Sequence, residues 1–151
     1  MNDIKKKIVK AHKKIKEHIH NTPILSSQNI NRIAGANIYF KCENFQKIGA
    51  FKMRGALNAV FSTPNSFIKN GFVTHSSGNH AQAVALSSKI ANTIAYVVMP
   101  KGAPQIKIEA VKGYGGYVTL CENNEKARVT TCDKIIKKTG ATFIHPYNND
   151  D

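Results

Sequence analysis

Apolar residues return at three- and four-residue steps near the N-terminus. Ile4, Ile8, Ala11, Ile15 and Ile19 fall on one face of a helix, with lysines on the other. Thr22-Pro23 stops it, because a residue before proline is pushed out of the helical region. Ser26 or Ser27 caps a second short helix and Gly35 ends it. Residues 37–43 (NIYFKCE) alternate and are rich in β-formers, which predicts a strand. A loop over 44–50 and a helix over 51–61 follow.

After a turn at 64–71 the rhythm changes. Phe72-Val73-Thr74 is a short apolar strand, then a small-residue run leads to a helix over 80–91. Residues 93–99 (TIAYVVM) are continuously apolar, as in a strand buried on both faces. Pro104 suits the first turn of the next helix, and Gly113 ends it. A strand over 116–121, a helix over 123–138 closed by Gly140, and a strand over 141–145 complete the series. Strand and helix alternate from residue 72 onward, which predicts an α/β fold with a parallel sheet and right-handed crossovers. The change of pattern divides the chain into 1–70, 71–147 and a tail, 148–151.

Of the 151 residues, 42% are hydrophobic, enough for a globular core. No run approaches a membrane span, and the charged N-terminus lacks the apolar core of a signal peptide. Cys42, Cys121 and Cys132 are odd in number and far apart, which argues against a disulfide framework or a metal site and for a reducing cytoplasm. The net charge is +13, but the lysines are spread along the chain without interleaved aromatics, so no nucleic-acid partner is expected.

Two segments carry candidate chemistry. In the first, residues 44–56 (NFQKIGAFKMRGA), a glycine precedes a helix start and Lys52 sits in the first turn. A cation is disfavoured at that positive end, which suits an amine needed as a nucleophile, or, in so lysine-rich a chain, Lys52 is simply a solvated surface lysine. In the second, residues 74–82 (THSSGNHAQ), a strand ends where a helix begins. Backbone N–H groups and two hydroxyls there can form an anion pocket, or Ser76 or Ser77 can simply cap the helix.

The run KCENFQKIGAFKMRGALNAV resembles the cofactor-lysine segment of fold-type II pyridoxal-phosphate (PLP) enzymes, and VTHSSGNHAQAVALSSKI resembles their substrate-carboxylate loop. MPKGAPQIKIEAVKGYGG and FIHPYNN fit the same pattern in the same order. The branch it resembles most is that of serine/threonine dehydratases and serine racemases. The resemblance implies the three-layer, tryptophan synthase beta-like fold, with an incomplete large domain and a small α/β domain. It implies that Lys52 holds PLP and removes the substrate α-proton, that Phe51 packs beside the cofactor ring, and that Asn79 reaches its phenolic oxygen. Ser76, Ser77, Gly78, Asn79 and His80 would bind the carboxylate of a small amino acid. Ser77 would offer an acid/base opposite Lys52, which bears on racemase against dehydratase; dehydration of threonine or serine to a 2-oxo acid and ammonia is the favoured expectation.

The resemblance has a gap. The family's glycine-rich phosphate loop and its residue facing the pyridine nitrogen lie beyond Asp151, and no metal-binding carboxylates fall within the sequence. The expectation is therefore a chain that does not sustain catalysis alone and that forms a homo-oligomer or pairs with a chain carrying the missing half.

Overall fold

The computed structural model describes residues 2–147, so the expected tail at 148–151 lies outside the described residues. Four parallel strands form the central sheet: β3 (Phe72–His75), β4 (Ala95–Pro100), β5 (Gly116–Cys121) and β6 (Thr142–Phe143), in the order β5-β4-β3-β6. Helices α5 (Asn79–Ile90) and α6 (Gln105–Gly113) connect the first three strands. The chain then returns through α7 (Glu125–Thr139) to place β6 on the far side of β3. The direction of winding therefore reverses between β3 and β6. In open α/β sheets, that reversal opens a crevice at the carboxyl ends of the strands.

Successive sheet residues face opposite layers. Phe72, Val97 and Met99 pack with Ala81, Val84 and Val111 on one side. Val73 and Val98 pack with Cys132 and Ala141 on the other, and both sides are buried. This is why the strands read as continuous apolar runs. Helix α3 (Lys52–Ser62) lies against α5, so Ala56, Ala59 and Val60 share the core that holds Phe72. Behind α3 lies α1 (Asn2–Ile15), through Ile15, Met53 and Leu57.

The N-terminal third departs from the expected elements. The first helix ends at Ile15 and one 3-10 turn (Lys16–His18) carries the chain on, so Ile19 lies outside it. Ile4 and Ile8, expected on its packed face, are exposed, because α3 reaches only the C-terminal part of that face. Helix α2 (Gln28–Ala34) is capped by Ser27 and closed by left-handed Gly35, as expected. The strand expected at 37–43 shrinks to β2 (Phe40–Lys41), paired antiparallel with β1 (Ile24–Leu25), which the proline signal hid. All four ribbon residues are exposed; Ile24 keeps 63% of its surface and Phe40 43%. The loop at 44–50 contains two 3-10 turns, the turn at 64–71 holds α4 (Asn65–Ile68), and the last strand covers only two of its five expected residues.

Candidate active site

The turn before α3 aims its first residue. Ile48 and Gly49 are both left-handed, at φ 60° and 69°, and this reverses the chain so that Ala50 is buried and Lys52 opens the helix. A β-branched residue at such φ is uncommon and strained. Gln46 fixes the turn from inside. Its amide donates to the carbonyl of His20, and its oxygen accepts from the N–H groups of His20 and Lys47, each at 2.9 Å. Arg54, Glu43 and Thr22 lock the same region, since Glu43 accepts two bonds from Arg54 and one from Thr22 Oγ1 at 2.6 Å. These anchors carry no periodic signal. Only their side-chain chemistry, a glutamine and an Arg/Glu pair flanking the lysine segment, could have singled them out.

Lys52 lines a cavity of about 240 Å³ together with Phe51, Gly55, Asn58, His80 and Pro146. The cavity sits at the β3/β6 reversal. Lys52 Nζ donates to the Pro146 carbonyl at 2.6 Å, with the rings of Phe51 and Tyr147 centred 5.7 and 5.4 Å away. His80 is buried, with Nε2 3.4 Å from the Ile144 carbonyl. Burial drives its pKa down to about 4, the Lys52 and His145 charges push the same way, and the Ile144 carbonyl opposes them. The imidazole is neutral at pH 7, and the tautomer with its proton on Nε2 is the one that can donate to the Ile144 carbonyl.

Of the predicted site residues, Phe51, Lys52 and His80 meet at this cavity. Ser76, Ser77, Gly78 and Asn79 do not line it. They form the turn from β3 into α5, with Ser76 to Gly78 half-buried and Asn79 exposed. Ser76 Oγ accepts from Gly78 N at 3.2 Å. Among the described residues no side chain caps α5 at Gly78, and the same holds for α3, α4 and α6, whereas Ser27 caps α2 and Asn124 caps α7. An anion at this turn would meet the first-turn N–H groups of α5.

Two details fit a ligand at the cavity. Gly55 sits inside α3, where glycine costs about 1 kcal/mol against alanine, and an added Cβ would meet nothing within 4 Å. It leaves the wall open to a flat group. Asn58 Oδ1 is buried without a hydrogen-bond partner among the described residues. A lysine amine, an open glycine wall and an aromatic neighbour suit an aldehyde cofactor with a planar ring.

Residues 15–151 match the family described as pyridoxal-phosphate dependent enzyme. The chain belongs to that family. It is 47% identical over 144 residues to the serine racemase of Dictyostelium discoideum, covering 95% of this chain and 44% of that protein. The crystal structure of that racemase superposes with a TM-score of 0.92, over 95% of this chain and 47% of that one. The beta-hydroxyaspartate dehydratase of Paracoccus denitrificans is 47% identical over 139 residues, 92% of this chain and 44% of its own. The processed form of threonine deaminase isoform 2 from Solanum lycopersicum superposes at 0.87 with 31% identity, over 98% of this chain and 43% of that one. The chain therefore has the tryptophan synthase beta-like fold of a PLP enzyme and spans under half the length of these relatives. Among the described residues no helix is long and apolar enough to cross a membrane.

Proposed function

We propose that Lys52 carries pyridoxal phosphate and removes the α-proton of a small hydroxy amino acid, serine or threonine, so that the β-hydroxyl leaves and a 2-oxo acid and ammonia result. The observation that supports this best is a lysine amine in a cavity at the sheet's reversal point, beside the start of α5. The cofactor supplies the electron sink for cleavage at the α-carbon. Phe51 flanks its ring and Asn79 faces its phenolic oxygen. The turn Ser76, Ser77, Gly78, Asn79 and His80 holds the substrate carboxylate, mainly through backbone donors. Lys52 takes the α-proton on its Nζ, and the Pro146 carbonyl is in place to accept a hydrogen bond from the resulting ammonium.

Racemisation of serine is the second reading. Ser77 favours it, because a hydroxyl there can exchange a proton on the face opposite Lys52, and similar proteins include ones called serine racemase. In either reading residues 1–70 belong to a large domain and 71–147 form a small one. Polypeptide beyond this sequence, continuous or paired, cradles the cofactor phosphate. The free thiols of Cys42, Cys121 and Cys132 suit a reducing compartment such as the cytoplasm.

The test is reductive trapping. The protein is incubated with pyridoxal phosphate, reduced with borohydride and digested, and the adduct is located by mass spectrometry. The adduct is expected on Lys52 ahead of the surface lysines and is lost in Lys52→Ala. An adduct spread evenly over exposed lysines refutes the assignment. Chiral chromatography of serine beside a 2-oxo acid assay, on this chain joined to the rest of the fold, separates the two readings.

A further inference from the structure

We propose that Thr74 is a positioning residue for Lys52, acting through the carbonyl of Ile144. The proposal rests on the reading of Lys52 as the cofactor amine. Thr74 is the third residue of β3, on its α5-facing side, and is fully buried, at 0% exposure. Its hydroxyl donates to the Ile144 carbonyl at 2.8 Å. A buried hydroxyl is costly unless bonded, and the backbone of β3 is already paired with β4 and β6. Valine would fill the same space without that cost, so the sheet alone does not account for the hydroxyl.

The bond fixes the direction of the chain beyond β6. Ile144 N donates to the Val73 carbonyl at 2.9 Å, and His80 Nε2 shares the Ile144 carbonyl with Thr74. Both polar groups of Ile144 are therefore held. Two residues later Pro146 has its φ locked by its ring, and His145 before it is restricted to extended conformations. The Pro146 carbonyl inherits its direction from Ile144, and it is the acceptor for Lys52 Nζ. Through this relay Thr74 sets where the amine stands between the rings of Phe51 and Tyr147.

The experiment is a short pulse of N-hydroxysuccinimidyl acetate on the 151-residue chain at one pH, read lysine by lysine by tryptic mass spectrometry. Exposed Lys69 and Lys112 serve as internal standards. Thr74→Val is expected to raise the Lys52 rate about fivefold relative to both standards, the factor one net hydrogen bond carries. Thr74→Ser is expected to restore the wild-type rate. Equal Lys52 rates in wild type and Thr74→Val overturn the proposal. So does a rise at all three lysines together, which is general loosening, or a Thr74→Ser variant that behaves like valine. Reductive trapping with pyridoxal phosphate is read separately. If trapping misses Lys52 while the acetylation pattern holds, the cofactor reading fails and the positioning role stands.

Discussion

Arg54 grips Glu43 through two parallel hydrogen bonds, Nε to Oε2 and Nη2 to Oε1, each 2.8 Å long. The Arg54 guanidinium holds the Glu43 carboxyl down to about 2, against the desolvation of a half-buried group, with Thr22 and the Lys41 charge helping. A lowered carboxyl pKa adds stability that is complete above the ordinary value of 4.5 and is lost as pH falls through about 2. Arg54→Lys keeps the charge but not the fork, and should cost about 1–2 kcal/mol at pH 7. Urea unfolding at pH 7 and pH 3 checks this: the gap between wild type and variant should narrow at the lower pH.

His80 gives a second pH signature at higher values. Its pKa falls from 6.5 to about 4, so its contribution is complete above 6.5 and is lost as pH drops toward 4. That shift corresponds to about 3 kcal/mol at most. His80→Gln should therefore lose less stability than wild type between pH 7 and pH 4.5. Parallel curves for the two proteins would contradict the buried neutral imidazole.

Two glycines with positive φ should respond differently to alanine. At Gly49, φ is 69° and an added Cβ has open space, so Gly49→Ala should cost about 1–2 kcal/mol from backbone strain alone. At Gly71, φ is 83° and the Cβ would lie 2.6 Å from the Ile94 carbonyl oxygen, at the entrance to β3. Gly71→Ala should cost more than Gly49→Ala. Thermal melts of the two variants give the ranking, and the reverse order would be incompatible with the geometry.

The three thiols should label in a fixed order. Cys132 is buried against Val73 and Val98, and burial, with the nearby Asp133, pushes its thiol up to about 12. Burial also raises Cys121, by a smaller amount. Cys42 is half-buried and stands apart from that core. With a thiol-disulfide reagent at pH 8 in native buffer, Cys42 reacts first and Cys132 last, because the thiolate is the reactive form. Denaturant should erase the order.

The sheet was legible because a parallel strand covered on both faces has to be apolar throughout. The strand over 116–121 matches β5 end to end, and β3, β4, α5 and α7 differ from expectation by a few residues at their ends. The sequence places Lys52 in the first turn of a helix at 51–61, and the resemblance of its segment to the cofactor-lysine segment picks it out; it is in fact the first residue of α3. The N-terminal third was less readable, since a two-residue strand such as Ile24–Leu25 has no periodicity to detect. The partner of Lys52 was hidden for another reason. It is a backbone carbonyl 94 positions away, and every residue type carries one. The same holds for Thr74, whose acceptor is also main chain.

The ribbon of β1 and β2 has a consequence for how the molecule behaves in solution. Two short strands with bare faces are marginal by themselves, and uncovered strand edges invite pairing with other chains. A charge of +13 keeps copies apart at low ionic strength, but at about 0.15 M salt its reach falls to about 8 Å. The isolated chain should therefore sediment as a single species in dilute buffer and self-associate as salt is added. Ile24→Lys and Phe40→Lys should blunt that response, whereas the same change at exposed Tyr117, on the sheet's outer strand, should leave it in place.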